Sequence, residues 1–379
     1  MLKIIHCADL HLDSGMETRL SPDRAALRRS ELLASFLRLV EYAAEEQVAA
    51  ILLCGDLFDR ERVSPSTAAA FCAAIRRQPQ ILFFCLEGNH DRGVFSLPWF
   101  NDLPDNLLLF EEDWTVYTLR KGLRVYGARL SPRFASADFW NLPAPDPADI
   151  NLVLLHGTLT SASSPDLSRD EIPLSRLQGR NIDYLAMGHI HTPKSGALDS
   201  RGVFCYPGCL EPRGFDECGP HGFVLLEIDP GRRSLSRRFI PFARRRACRV
   251  RTDISGCASI PEIIDRVRRD LTRENCGPED MADVILTGSL QPQLTGNMTP
   301  VLSVLRQEYF LLRLTDRSKD TFDHSSYKND RSLRGFFVRS VLDDPAIDDR
   351  DRQAILRCGL LALQGESRDL IHETDQLYD

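Results

Sequence analysis

The chain has 379 residues, 43% of them hydrophobic and 27% charged, with a formal net charge of −7 at pH 7. That length predicts two or three domains, the apolar share is ordinary for a soluble globular protein, and no apolar run reaches the roughly 20 residues of a membrane span. The acidic balance argues mildly against a nucleic-acid partner. Its distribution softens that. Arg232, Arg233, Arg237, Arg238, Arg244, Arg245, Arg246, Arg249 and Arg251 crowd one stretch, and Arg266, Arg268, Arg269 and Arg273 follow. Such a run is either a phosphate-binding surface or a solvated face with partners nearby. Asp343, Asp344, Asp348, Asp349 and Asp351 make the tail acidic. The eleven cysteines show no Cys-x-x-Cys spacing, which predicts a reducing, cytoplasmic compartment. The strand-like run Leu2-Lys3-Ile4-Ile5 at the start predicts no signal peptide.

Residues 2–8 read as a strand. Ser21-Pro22 reads as an N-cap with proline at the first helical position. The helix that follows carries Leu33, Phe36, Leu37, Val40 and Ala44 on one predicted stripe. Residues 49–54 and 81–86 are apolar without alternation, as buried strands are, with a helix from Pro65 to about Arg77 between them. This rhythm predicts parallel strands. Shorter strands follow at 107–110, 116–119, 125–128, 151–155, 184–187, 203–206, 222–228 and 235–240. Two face-to-face sheets with helices outside would bury them all.

The arginine-rich run near residue 245 reads as a boundary. A smaller α/β unit is expected beyond it: strand 249–253, a helix to about Glu274, strand 283–290, a helix near 301–306 and strand 310–314. Ser259-x-x-Glu262 is a capping-box pattern, and Gly277-Pro278 an end signal. Leu333–Leu342 and Arg350–Leu363 read as two final helices. The partition expected is 1–245, 246–330 and 331–379.

Five short motifs carry the chemistry, each at the end of an apolar strand. Asp9-x-His11 places two ligand types on one side of an extended chain. In Gly55-Asp56-Leu57-Phe58-Asp59 the glycine allows a sharp turn, so that Asp56 emerges at the carboxyl edge of the sheet, where α/β proteins bind ligands. Its two oxygens suit it to bridge two ions. Gly88-Asn89-His90-Asp91 offers an amide oxygen from Asn89 to a hard ion. It leaves His90 to point into the site without binding metal, placed to protonate a leaving oxygen or to hold a phosphate oxygen. His156 closes one more strand, and Gly188-His189-x-His191 repeats the two-apart logic. Singly, each has a plainer reading as a turn, a cap or a packed residue. Jointly they hold five of the nine histidines and supply carboxylate, imidazole and amide ligands for a pair of divalent ions, a device for phosphate-ester hydrolysis. His6, His221, His324 and His372 read as structural or surface residues. The loop Thr158–Ile172 either borders the site or is simply surface.

These motifs, in this order, resemble the calcineurin-like metallophosphoesterase superfamily over roughly residues 1–240. Within it, Ile5-His6-Cys7-Ala8-Asp9-Leu10-His11-Leu12, Gly188-His189-Ile190-His191-Thr192-Pro193 and the segment from Tyr206-Pro207-Gly208 to Glu217 resemble SbcD-type DNA repair exonucleases of the YhaO-like branch. Ser332–Arg339 is a weaker likeness to the same branch. Cys209 replaces the serine usual in that branch and is expected to pack. The resemblance implies an α/β fold, a four-layer α/β/β/α sandwich with a smaller C-terminal α/β cap domain and a helical tail. It implies that Asp9, His11, Asp56 and His191 hold one metal, that Asp56, Asn89, His156 and His189 hold a second, and that His90 is catalytic. It implies manganese as the working ion, where ligand chemistry alone also allows iron or zinc. Asp59, Arg92 and Arg213 stand as candidates for contacting substrate. The implied function is a DNA exonuclease in repair that acts on strand ends with an SMC-like coiled-coil ATPase, and a homodimer is a further possibility. Two alternatives stay open: a phosphatase or cyclic-nucleotide phosphodiesterase on small substrates, and a scaffold that recruits the ATPase.

Overall fold

The computed structural model describes the chain apart from residues 17–19, 60–61, 130–136, 141, 162–169, 291–293, 295–297, 321–326, 328 and 365–379. The middle of the loop 158–172, His324 and His372 therefore lie outside the described residues. Two compact units are formed. The first joins Met1–Val250, Val267–Ile285 and Leu302–Thr315; the second joins Arg251–Arg266, Leu286–Val301 and Asp316–Asp379.

The first unit opens as β1 (Leu2–Cys7), α1 (Pro22–Glu45), β2 (Ala50–Cys54), α2 (Pro65–Arg76) and β3 (Leu82–Leu86). Short strands follow: β4 (Leu107–Leu109), β5 (Thr115–Arg120), β6 (Leu123–Gly127), β7 (Ile150–His156), β8 (Thr158–Thr160) and β9 (Glu171–Pro173). Then come β10 (Tyr184–Gly188), β11 (Lys194–Ala197), β12 (Val203–Tyr206), β13 (Gly222–Asp229) and β14 (Ser234–Pro241). One sheet runs β14-β13-β1-β2-β3-β4, and another runs β11-β12-β10-β7-β6-β5. As the strand–helix rhythm predicts, β1, β2, β3 and β4 are parallel. So are β6, β7, β10 and β12 of the second sheet.

The sheets pack face to face. Ile4, Ala50, Leu52 and Phe84 of one meet Val125, Leu152, Leu154 and Ala186 of the other in a buried core. On the far side of the first sheet, Ile5, Ile51, Leu53 and Phe83 pack against Leu32, Phe36 and Leu39 of α1 and Phe71 and Ile75 of α2. The far side of the second sheet, Val153, Leu155, Leu185 and Met187, is covered by Phe139, Trp140, Leu174 and Leu177. Among the described residues these belong to short 3-10 turns and their flanks, which form the outer layer on this side.

The register of α1 differs from the expected stripe. Its buried face is Ala25, Arg28, Glu31, Leu32, Ser35, Phe36, Leu39, Val40 and Ala43, while Leu33, Leu37 and Ala44 are only half-buried. The face holds charge because partners wait for it. Arg28 donates to Glu31 at 2.6 Å, to Glu211 at 3.2 Å and to the Pro212 carbonyl at 2.8 Å. Arg245 donates to Glu31 at 2.6 Å.

Past residue 246 come β15 (Ala247–Asp253), α3 (Ile260–Arg273), β16 (Met281–Thr287), β17 (Ser289–Leu290), α4 (Thr299–Leu305), β18 (Leu311–Asp316) and β19 (Lys319–Asp320). The strand expected at 283–290 is broken in two at Gly288, which has a φ of +94°. In the second unit, α5 (Leu333–Leu342) and α6 (Asp349–Gln364) pair through Val338, Val341, Leu356 and Leu360, close to the two predicted helices.

Candidate metal centre

All five motifs come to one edge because five parallel strands end there. β1, β2 and β3 are neighbours in the first sheet, and β7 and β10 in the second, with His156 opposite Gly188. The chain turns abruptly at this edge. Asp9, His11, Asp56 and His189 all adopt positive φ, at +54°, +44°, +51° and +101°. Such conformations in residues with side chains cost on the order of 1–3 kcal/mol each and persist where the surroundings enforce them. Here the Asp9 N–H donates to the Gly55 carbonyl and the His11 N–H to the Asp56 carbonyl, both at 3.0 Å. Gly88 makes the close approach possible: a Cβ there would lie 2.3 Å from Asp56 Oδ1.

Two triplets of ligand atoms result. Asp9, His11 and His191 form one, and Asp56, His156 and His189 the other, each with all ligand atoms within 4.8 Å of one another. The Asn89 amide oxygen lies 3.0 Å from His156 Nε2 and 3.1 Å from His189 Nδ1. Asp56 Oδ2 stands 3.3 Å from His156 Nε2 and 3.9 Å from His11 Nε2, between the groups.

The donor set fits a pair of cations. His11 Nδ1 is 3.1 Å from Asp59, His191 Nδ1 is 2.7 Å from Glu217, and His156 Nδ1 is 2.8 Å from the Cys54 carbonyl. Acceptors at Nδ1 of His11 and His156 turn their Nε2 atoms inward, while His191 Nδ1 has both the Glu217 carboxylate at 2.7 Å and the Arg213 guanidinium at 3.0 Å beside it. His11 Nε2 and His191 Nε2 then oppose each other at 3.2 Å. Two imidazole nitrogens so placed, with Asp9 beside them, suit a shared cation.

A model of the calcineurin-like phosphoesterase family matches residues 2–193, a span that includes Asp9, His11, Asp56, Asn89, His156, His189 and His191 but not Glu217. The chain belongs to that family. Its members bind divalent metals, and membership places the chain among the phosphoester hydrolases. This phosphoesterase is similar to the DNA double-strand break repair protein Mre11 of Haloferax volcanii, 29% identical over 277 residues, which are 71% of this chain and 58% of that protein. It is similar to the uncharacterized metallophosphoesterase YhaO of Bacillus subtilis, 29% identical over 248 residues, 61% of this chain and 58% of that one. The SbcD component of the SbcCD nuclease of Rhodobacter capsulatus is 26% identical over 325 residues, 71% of this chain and 76% of that protein. The chain thus spans under two thirds of the length of the first two. No helix among the described residues is long and apolar enough to cross a membrane.

Charge in the phosphoesterase site is tightly coupled. Burial pushes the Asp9 carboxyl up to about 6, with Asp56 adding to the effect. Burial also works against Asp56, yet His156 and His11 hold it well below the usual carboxylate range. Burial opposes charge on His156, but Asp56 and Asp9 outweigh it and carry the imidazole up to about 9. Burial sends His11 down to about 4. The Asp59 carboxylate raises His90, from which it lies 3.4 Å at Nδ1.

Of the residues proposed from sequence, Asp9, His11, Asp56, Asn89, His156, His189 and His191 come together, and His90 stands beside them with its N–H on Asp56 Oδ1 at 2.8 Å. Asp59 links His11 to His90. Arg213 donates to Glu217 at 2.8 Å, behind His191, so its guanidinium serves the support of a histidine. Arg92 is half-exposed and lies 3.8 Å from Glu112. Sequence reasoning missed the roles of Glu217 and Asp91. Fully buried Asp91 accepts the Gly88 and Leu57 N–H groups at 2.6 Å and so joins two motif loops. Both carboxylates sit inside motifs quoted for other residues; only their burial betrays them. Cys209 packs as expected, 3.2 Å from His221 Nδ1.

Proposed function

We propose that this phosphoesterase is a dinuclear-metal phosphodiesterase that cleaves DNA from strand ends, in the manner of an SbcD-type exonuclease working with an SMC-like coiled-coil ATPase. The observation that carries the hydrolytic part is the pair of ligand triplets with Asp56 between them. Support for DNA comes from the relatives, whose names are those of break-repair and nuclease proteins. Asp9, His11, Asp56 and His191 would hold one divalent ion and Asp56, Asn89, His156 and His189 the other, with manganese the ion proposed. Such a pair, when bound, neutralises charge on a phosphate and makes water a stronger nucleophile.

His90 supplies the proton. Its Nδ1 lies 3.4 Å from Asp59, and that carboxylate raises its pKa, which favours the charged form able to give up a proton. A histidine so held donates to a departing sugar oxygen. The partition into a catalytic part at 1–245, a cap at 246–330 and a helical tail at 331–379 belongs to the same proposal.

One observation favours the small-substrate alternative. Part of the arginine run is engaged within the chain: buried Arg245 with Glu31, and at the surface Arg249 with Asp283, Arg268 with Glu308, and Arg266 with the carbonyls of Asp253 and Ser255. The basic surface available to a phosphate backbone is smaller than the composition suggests. End-labelled duplex and single-stranded DNA, assayed beside a small chromogenic phosphodiester in manganese, separate the readings. Preferential digestion of DNA, abolished in His90→Ala at unchanged metal content, is expected. Turnover of the small ester with DNA untouched would sink the nuclease reading and leave the hydrolase standing.

A further inference from the structure

We propose that Cys248 and Cys276 form a reversible disulfide, a peroxide-responsive clip between β15 and the turn that ends α3. The two thiols are reduced in the structure, and their sulfurs lie within 4.8 Å of each other. The segments that carry them are already bound together. The Arg246 guanidinium donates to the Asn275 carbonyl at 2.8 Å, the Arg246 N–H to Asp280 at 2.8 Å, and the Met281 N–H to the Arg246 carbonyl at 2.9 Å. These bonds tie Arg246, two residues before Cys248, to residues on both sides of Cys276. Asn275, at a φ of +55°, turns the chain out of α3, and the Cys276 N–H returns to the Leu271 carbonyl at 2.9 Å. Closure requires the sulfurs to move from within 4.8 Å to the roughly 2.05 Å of a disulfide, between segments already held together.

The pair is chemically unequal. A hydrogen bond from Cys276, with the Arg246 charge nearby, lowers the pKa of Cys248, while the same bond and burial raise that of Cys276. Cys248 is thus the nucleophile and Cys276 the resolving thiol. Both are buried, with 7% and 6% of their surface exposed, so a small oxidant such as a peroxide is the fitting reagent. The Cys248 thiolate attacks a peroxide ROOH; an S–O bond forms, the O–O bond breaks, and ROH leaves with one proton. Cys276, losing its proton to water, attacks the sulfenic sulfur; the S–S bond forms and water departs. Two thiols and one peroxide give one disulfide, one ROH and one water.

A metal ion is the other occupant such a cluster could take, with Asp280 as third ligand. The carboxylate is poorly disposed for it. One oxygen accepts the Arg246 N–H and the other the Gly277 N–H, both at 2.8 Å, and the Arg246 cation lies alongside. A transient disulfide in a cell interior is the form redox-sensing pairs take.

The test treats the full reduced chain with stoichiometric hydrogen peroxide, then alkylates and maps the peptides. The expected product is a cross-linked pair of peptides containing Cys248 and Cys276, lighter by two hydrogens and released by dithiothreitol, with Cys248→Ser and Cys276→Ser each failing to form it. Separate alkylation of both cysteines after peroxide would overturn the proposal. So would over-oxidation of Cys248 without a cross-link. Thiols that resist both reagents until a chelator is added would overturn it in favour of a metal site.

Discussion

Asp56 illustrates how one side chain is asked to do two things. It stands between the two ligand triplets, with Oδ2 near His156 and His11 and Oδ1 accepting the His90 N–H. Asp56→Ala should therefore remove a ligand from both ions at once, and activity should fall by more than about a thousandfold, the several kcal/mol that charge neutralisation at a phosphate is worth. Metal analysis and a hydrolysis assay check this together; wild-type turnover in the variant would refute the shared-ligand reading. Glu217 works at one remove. It grips His191 Nδ1 at 2.7 Å and is itself held by Arg213. Burial opposes its charge, yet His191 and Arg213 keep its carboxyl well below the usual range. Glu217→Gln preserves shape but loses the charge that makes His191 a strong ligand, and metal affinity should drop about ten- to a hundredfold with the fold unchanged. Calorimetric metal titration reads this directly, and equal affinity would show that Glu217 only fills space.

Helix α1 is where an element escapes its own sequence pattern. Arg28 is fully buried among Glu31, Glu211 and the Pro212 carbonyl. Replacing it with alanine takes the buried cation from Glu211, which keeps Ser35, and one of two from Glu31, which keeps Arg245, a loss of about 3–5 kcal/mol by the measure of broken buried pairs. Urea unfolding of Arg28→Ala checks it, and a change within experimental scatter would mean that solvent reaches the network. The same network explains what the sequence conceals. Periodicity finds the apolar residues of α1 but cannot know that Arg28, Glu31 and Ser35 have partners nearly two hundred positions away, so the predicted stripe is rotated. Glu217 and Asp91 are hidden for the same reason, since a carboxylate looks alike in sequence whether it holds a histidine or faces water. The strand ends are legible because each couples a buried apolar run to a ligand-type residue, with a glycine alongside in four of the five, a pairing that local physics explains. The break of β16 and β17 at Gly288 is a conformational detail that an apolar run does not advertise.

At the scale of the whole molecule, stability and site share one design, in which parallel strands of two facing sheets end at a common edge. His6 tests that design from inside. It lies on β1 three residues before Asp9 and is fully buried, with Nδ1 2.8 Å from the Tyr184 hydroxyl on β10 of the opposite sheet. Burial carries its pKa from the ordinary 6.5 down to about 3, against a small opposing pull from the Met187 backbone. Between those two values the unfolded chain binds one proton more than the folded chain, so this residue makes folding less favourable as pH falls. Its stability contribution is intact above 6.5 and is lost progressively toward about 3, at about 1.4 kcal/mol per pH unit. Other buried groups near the centre also titrate, so the comparison that isolates His6 is with His6→Gln, which keeps a hydrogen-bonding group toward Tyr184 but cannot be charged. The wild-type curve of unfolding free energy against pH should be steeper than the variant's by that slope across the acid range, and parallel to it above neutrality. Curves that stay parallel throughout would mean that water reaches His6 between the sheets, and that the sandwich is looser there than its packing shows.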